Sequence, residues 1–591
     1  MIPPSPLGRK ILFTAVAVCC FAAPARSQSP GKTPAPVISA DRNAAAATPG
    51  NEACAKCHRA IFESYSATPM AHASGPATQD FLPGDFLHAA SGVHYRVFLE
   101  NGDAWLSFDR DGDPPLHGKR KLEFFIGSGL RGKTYTFSDD GFSFELPINY
   151  YTQRSDAPGG GWDMAPKHQG AKEMPLNSPA SSSCLTCHTS DAQAPQAGTE
   201  NKYASPLFAH GGITCERCHG ADTSHGAGKS AGATAAAASA SRTANNLPAK
   251  IINPAKLPPA RRDAICMQCH LEGNTAVEQP GRHFYEFRAG EDLADFVRYY
   301  VYTGGGNANV RAVSQFEALA QSTCKRVTGD SMTCITCHDP HISLPAGQRV
   351  SYFRGKCLAC HGDAFAAKHH VEQPDCASCH MQRLRARDVA HTQATDHRIL
   401  RVPIPQTASD ASSQSALARA NLARFPPVPV DSLRDPALAW SFLASADSQL
   451  ALAQAEKLLP EALAQNPDDP ELLEALGYSE QLRGLTDQAR EHYEHALRVK
   501  PLALHAAANL ALIEANAGNL DRAAALWKAT FARDPGRSNW GIDLARALCL
   551  SGHEAEAKAA LARVLEFNPD LSTARGMVHQ LESVEVKCVP E

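Results

Sequence analysis

Three copies of the pentapeptide Cys-x-x-Cys-His fall within 47 residues: Cys334/Cys337/His338, Cys357/Cys360/His361 and Cys376/Cys379/His380. Four more stand upstream, at Cys54/Cys57/His58, Cys184/Cys187/His188, Cys215/Cys218/His219 and Cys266/Cys269/His270. Together they use 14 of the 19 cysteines. Two thiols at this spacing can each form a thioether to one of the two vinyl groups of a haem, and the following histidine is then held beneath the ring as an iron ligand. A zinc half-site or a thioredoxin-like pair shares the Cys-x-x-Cys but does not require the histidine. With 19 cysteines and 25 histidines in 591 residues, a shuffled chain would hold far fewer than one such pentapeptide. The pattern predicts seven covalently attached c-type haems, with the fourteen cysteines as anchors and the seven histidines as proximal ligands.

The start of the chain agrees. Arg9 and Lys10 precede an apolar run from Ile11 to Ala23, and Ala23-Pro-Ala25 is a small-x-small cleavage pattern. Residues 1–25 therefore read as an export signal, too short for a confident membrane span. Haem attachment of this kind takes place outside the bacterial cytoplasmic membrane, so a periplasmic or extracellular location is expected. No other long apolar run occurs, so no integral membrane segment is expected in the mature chain. The formal net charge of −4 gives no sign of nucleic-acid binding. Residues 26–50, rich in Pro, Ala and Ser, read as a disordered leader.

Residues 51–400 form the expected haem region, with porphyrins supplying much of the buried apolar surface. Within it, Val93 to Glu100 alternates, Asn101-Gly102 signals a type I′ turn, and Ala104 to Asp109 returns. Two further strand-like pairs follow, so residues 90–151 read as an inserted antiparallel sheet. Asp109, Asp111 and Asp113 lack the glutamate of an EF-hand loop and read as a solvated turn. Ala/Ser-rich 227–249 reads as an exposed loop, and Glu291 to Tyr302 as helical. The fold class expected is mainly α, with this small sheet inserted.

Thirteen histidines up to residue 400 lie outside the motifs, more than seven irons need as sixth ligands. His72, His225, His283, His341, His391, His397 and one of His369/His370, taken as His370, are the expected distal ligands. His88, His94 and His117 lie in the strand region and read as structural or exposed, while His168 and His210 are open. His341 follows proximal His338 so closely that it should cap a neighbouring iron rather than its own.

The run Cys54-Ala-Lys-Cys-His58-Arg-Ala-Ile-Phe-Glu-Ser-Tyr65 with His72 resembles the multihaem cytochromes related to the nitrifiers' tetrahaem electron carrier. The elements Cys-His-Gly…Ser-His225, Cys-His-Asp-Pro-His341 and Thr-Asp-His397 are similar to a branch of bacterial multihaem cytochromes that carry tetratricopeptide repeats. The resemblance implies haem binding and electron transfer.

Beyond a Pro/Ser/Ala-rich linker at 401–435, Pro467, Pro501, Pro535 and Pro569 recur every 34 residues. Ala455, Ala489, Ala523 and Ala557 keep the same register, as do Gly484, Gly518 and Gly552. Small residues let paired helices approach, glycine fits the turn and proline ends the second helix, so 436–585 read as an α-solenoid of tetratricopeptide repeats. Such a surface binds a protein or peptide, or braces the rest of the chain. Cys549 reads as a buried free thiol, and Cys324 and Cys588 carry no assignment.

Two functions fit. One is an electron carrier with mostly bis-histidine irons, serving redox partner proteins and docked through its repeats. The other is an oxidoreductase acting on a small nitrogen or sulfur compound at one open haem. Both require the haem count, and mass spectrometry of the denatured, exported protein should show seven haem additions; six or eight would break the correspondence of one motif to one haem.

Overall fold

The computed structural model describes residues 50–112, 115–154, 157, 159–221, 225, 250–303, 311–367, 369, 373–386, 388–402, 421–428, 432–444 and 448–582. The export signal, all but the last residue of the leader, the Ala/Ser-rich loop, His370 and Cys588 lie outside these residues.

The alternating strands form a four-stranded antiparallel meander: Gly84–His88, Val93–Glu100, Asp103–Arg110 and Leu116–Leu122. Val93, Tyr95 and Val97 point inward from one strand and Ala104, Leu106 and Phe108 from the next, as a period of two dictates. Asn101 and Gly102 both take positive φ, 53° and 84°, as the tight hairpin requires. The inward faces join a second, seven-stranded sheet that runs from Ser74–Pro76 to Ser178–Pro179 and includes Gly132–Asp139 and Phe142–Glu145. Tyr135, Phe137, Phe142 and Phe144 fill the core between them. Sheet structure therefore extends well beyond 90–151.

Glu291 to Tyr302 is not helical, which corrects the expectation. After a single 3-10 turn at Leu293–Asp295, Val297–Thr303 is a strand between Thr275–Glu278 and Asn421–Phe425. Its sequence, VRYYVYT, is β-branched and aromatic, and those side chains suit a pleated, half-buried surface. With this third sheet and a short pair, Arg383–Arg385 with Gln393–Thr395, the region before the repeats is mixed rather than mainly α.

From Arg434 to Glu582 the chain is all helical, in successive antiparallel pairs such as Pro470–Leu482 with Thr486–Val499 and Leu504–Asn516 with Leu520–Phe531. The in-register alanines 455, 489, 523 and 557 are all buried, and Leu459, Tyr493, Trp527 and Leu561 beside them are equally so. Gly484, Gly518 and Gly552 end helices at φ of 76°, 85° and 83°, the left-handed cap that glycine adopts without strain. Cys549 is disulfide-bonded rather than a free thiol; its partner is not among the described residues.

The solenoid is held to the rest of the chain along its length. At one end Asp435, almost wholly buried, accepts from Arg298 and from Gln279 at 3.3 Å. At the other, Asp570 accepts a two-pronged bond from Arg110 at 2.6 and 2.9 Å and a third from the Met174 amide at 2.8 Å. Between them Asn177 donates to the Gly536 carbonyl at 2.8 Å, and Arg537 pairs with Glu200 at 3.1 Å. Phe567 leaves the repeats to sit in the sheet core, its ring 5.3 Å from Phe144. Truncating it to Ala should cost about 3–5 kcal/mol, read as a lower urea midpoint together with faster proteolysis of the 572–582 helix. An unchanged midpoint would mean that the repeats and sheets are energetically independent.

Candidate functional site

In a helical turn, residues three apart lie on one face. Cys215–His219, Cys376–His380 and the ends of Ser182–His188, Pro259–His270 and Ala346–His361 place their motifs in this way, with both cysteines facing together and the histidine just beyond. Cys334–Cys337 forms a single turn capped by Thr333 and Thr336.

All seven motif histidines, and every motif cysteine except Cys360, line one continuous cavity of about 4890 Å³. A pocket for one small molecule holds roughly 300–1,000 Å³, so this space suits several large groups. The motifs bordering it touch one another out of sequence order. The Cys215 amide donates to Asn51 at 2.8 Å, beside the first motif. Arg217 reaches the Thr186 carbonyl at 3.2 Å, and Cys187 Sγ lies 3.5 Å from the Gln268 carbonyl. The Cys334 amide donates to Asp263 at 3.4 Å, the ring of His338 is 5.5 Å from Phe353, and Arg354 donates to the Pro374 carbonyl at 3.3 Å. These contacts join all seven motifs.

Four motif histidines face a second imidazole across the cavity. Ring centres are 6.5 Å apart for His58 and His225, with planes within 7° of parallel, and 6.0 Å for His219 and His341. They are 6.2 Å apart for His338 and His397, and 6.0 Å for His380 and His369. An imidazole nitrogen binds a first-row metal ion at about 2.0–2.1 Å, so two rings on opposite sides of one ion have centres roughly 6 Å apart. Haem iron needs just these two ligands from the protein, because the porphyrin supplies four nitrogens. Among the described residues no three His, Cys, Asp or Glu side chains converge to hold a metal ion alone.

Hydrogen bonds at Nδ1 orient several of these rings. His219 is bonded through Nδ1 to the Ile252 carbonyl at 3.0 Å, His380 to that of Leu400 at 2.7 Å and His397 to that of Thr395 at 2.9 Å. In His341 the Nδ1 partner is the Asp339 carboxylate at 3.2 Å. A ring held this way keeps its proton on Nδ1 and offers Nε2 as the ligand. Burial pulls His188, His270, His338 and His397 below the ordinary histidine range, so all four are neutral near pH 7, the form that binds metal.

The other expected distal residues are placed differently. His72 Nε2 is bonded to the Ser66 carbonyl at 2.7 Å, and His391 Nε2 to Asp163 at 2.7 Å. His283 Nδ1 is bonded to Glu278 at 3.0 Å and its ring lies against Tyr285. His88 is buried against Ser91, His94 pairs with Asp85, and His117 is exposed on its strand. His168 is bonded to Ser178 and His210 to Asp191. His370 lies outside the described residues, and its neighbour His369 faces His380.

The concave side of the repeats forms another wall, where Tyr478, His505, Trp540 and Asp543 line the cavity.

Comparison with known proteins finds one matching segment on either side of the chain's midpoint. Residues 161–220 match the family model described as cytochrome c554 and c-prime, a span holding the second and third motifs. Residues 514–581 match a tetratricopeptide repeat model. Residues 161–220 are thus a cytochrome c-type segment, a class of haem electron-transfer protein, and the helical region is a repeat domain of a kind that mediates protein contact. Among solved structures the chain is similar to MamA AMB-1, at 23% identity over 25% of this chain and 82% of that one, with a TM-score of 0.22. It is also similar to TTC0263, a thermophilic TPR protein in Thermus thermophilus, at 21% identity over 25% and 80% of the two chains, with a TM-score of 0.21. No curated protein matches.

Burial pushes Asp543 up to about 7, against a smaller opposing pull from Arg546 3.6 Å away. The unfolded chain releases this proton near pH 4, so the folded protein binds more protons between about 4 and 7 and loses stability as pH rises through that window. Asp543→Asn removes the dependence. Its urea midpoint should gain on the unmutated protein between pH 5 and 8, and a difference that stays flat would show that Asp543 ionises normally.

Proposed function

We propose that this protein is an exported electron-transfer cytochrome carrying seven covalent c-type haems, related to the tetrahaem carriers of nitrifiers. The observation that carries this reading is the single cavity bordered by all seven motifs, with four imidazole pairs spaced for an iron between them. Cys54 to Cys379 would anchor the groups in pairs. His58, His188, His219, His270, His338, His361 and His380 would ligate from one side, and His225, His341, His397 and His369 from the other. Bound haem supplies a one-electron iron couple; the chain's residues fix its orientation, limit its contact with water and set its basicity through the Nδ1 partners.

Each of the four facing histidines leaves a segment belonging to a different motif from the one it faces. His225 follows the third motif and faces the first, and His341 follows the fifth and faces the third. His397 follows the seventh and faces the fifth. These crossings hold neighbouring haems close, as passage of electrons along a chain requires. Export to the periplasm or beyond suits the signal-like start and the Cys549 disulfide, since such bonds persist in oxidising compartments. No helix among the described residues is long and apolar enough to cross a membrane.

A second reading, catalysis on a small nitrogen or sulfur compound, draws on one observation. His188, His270 and His361 have no facing imidazole among the described residues, and His361 has Phe365 at 5.2 Å.

Replacing His341 with Ala tests the assignment. All seven haems should remain attached, while electron paramagnetic resonance shows one more high-spin iron that carbon monoxide binds. A spectrum identical to the unmutated protein's removes His341 from the ligand set. Nitrite or hydroxylamine turnover by a high-spin iron in the unmutated protein would favour the enzyme.

A further inference from the structure

The two ends of the motif cluster differ in charge. At the first motif the exposed side chains balance: Glu52 against Lys56, and Arg59 paired with Glu63 at 2.6 Å. The sixth and seventh motifs form the other end, where Cys360 and Cys379 are exposed and the helix Ala346–His361 buries no residue. Around them stand Arg349, Arg354, Lys356, Arg383, Arg385 and Arg401, all exposed or half-exposed, and none has a carboxylate partner among the described residues.

The nearby acids do not offset this charge. Among the described residues of 341–402 there are four: Asp363, Asp375, Asp388 and Asp396. Asp396 is bound by Arg398 at 2.6 Å, Asp375 caps the helix of the seventh motif, and Asp388 accepts from the Ala312 amide at 2.9 Å. Asp363 and Asp388 face solvent and Asp375 is half-exposed, so the six unpaired cations are opposed by three carboxylates and an excess of positive charge remains. Arg131 adds to the field from the sheet region, where its own burial and the positive charges of Arg383 and Arg349 depress its pKa. Six cations concentrated at one mouth raise the local concentration of anions and their encounter rate.

We propose that the basic mouth around the sixth and seventh motifs is the docking face for an acidic electron-transfer protein, the point at which electrons enter or leave. The inference rests on the haem reading above. It makes the cluster directional: the basic end selects an acidic partner, whereas the balanced charges at the first motif select for neither sign.

The test uses the intact holo-protein and two small redox reagents of opposite charge, hexacyanoferrate(III) and hexaammineruthenium(III), in stopped-flow oxidation of the fully reduced protein. The hexacyanoferrate rate should fall steeply with ionic strength. A variant carrying Lys356→Glu, Arg383→Glu and Arg385→Glu should lose roughly tenfold of that rate at low salt, with hexaammineruthenium unslowed. Neutral replacements by Gln at the same three positions should give a smaller loss in the same direction, and serve if the reversed variant fails to mature. Equal hexacyanoferrate rates for variant and unmutated protein would overturn the proposal, since the charge would then be cancelled by the haem propionates. Absence of haem absorbance in the exported protein would instead overturn the haem reading itself.

Discussion

A histidine that donates its Nδ1 proton to a fixed acceptor can bind metal only through Nε2, along a direction the protein has already chosen. That constraint organises the centre of this molecule. The acceptors for His219, His380 and His397 are main-chain carbonyls, which no substitution removes. Ile252 lies just before the helix of the fourth motif, and Leu400 three residues beyond His397. The orientation of these rings and the chain path are thus specified together. His341 departs from this, with the Asp339 carboxylate as its Nδ1 partner.

A cavity of this size cannot be supported by the short motif helices, several of which bury almost nothing. The support comes from conventional cores around it. One is the aromatic core between the two large sheets; another joins Val277 and Tyr300 of the third sheet to Leu438 and Trp440 of the first repeat helix. Conventional side-chain cores therefore carry more of the buried apolar surface than the sequence led one to expect. These cores lie at the rim, and the motifs line the space between them.

The parts legible in the sequence were those with a period or a fixed spacing. Pro467 through Pro569 and the alternation from Val93 both repeat a local geometry, and the helices and strands lie where that geometry puts them. The strand Val297–Thr303 is not legible locally because its partners, Thr275–Glu278 and Asn421–Phe425, lie 19 or more residues away and pair only through the fold. Facing histidines are a question of the same kind. His225, His341 and His397 could be named from proximity to a motif, but not the motif histidine each faces, and nothing local separates His369 from His370. His72 and His391 have equally suggestive positions, yet their Nε2 atoms bond to Ser66 and Asp163; His283 is held through Nδ1 by Glu278, as His341 is by Asp339, but faces no second imidazole among the described residues.

The repeats belong to the same logic. A tetratricopeptide solenoid presents its concave face to a ligand, and here that face meets the chain's own turn at residues 196–200. Gly198 sits against Leu502, where an added Cβ would come within 3.0 Å of the leucine, and its φ of 74° also favours glycine. Glu200, almost fully buried, pairs with Arg537, which in turn lies over the Trp540 ring. The turn falls between the second and third motifs, so the solenoid grips the segment that spaces them. A rigid superhelix fixed at Asp435, Arg537 and Asp570 resists bending between its ends, and through those attachments it holds the sheets, the turn and the cavity wall in register. Spacing between redox centres depends on such rigidity, which the short motif helices do not provide.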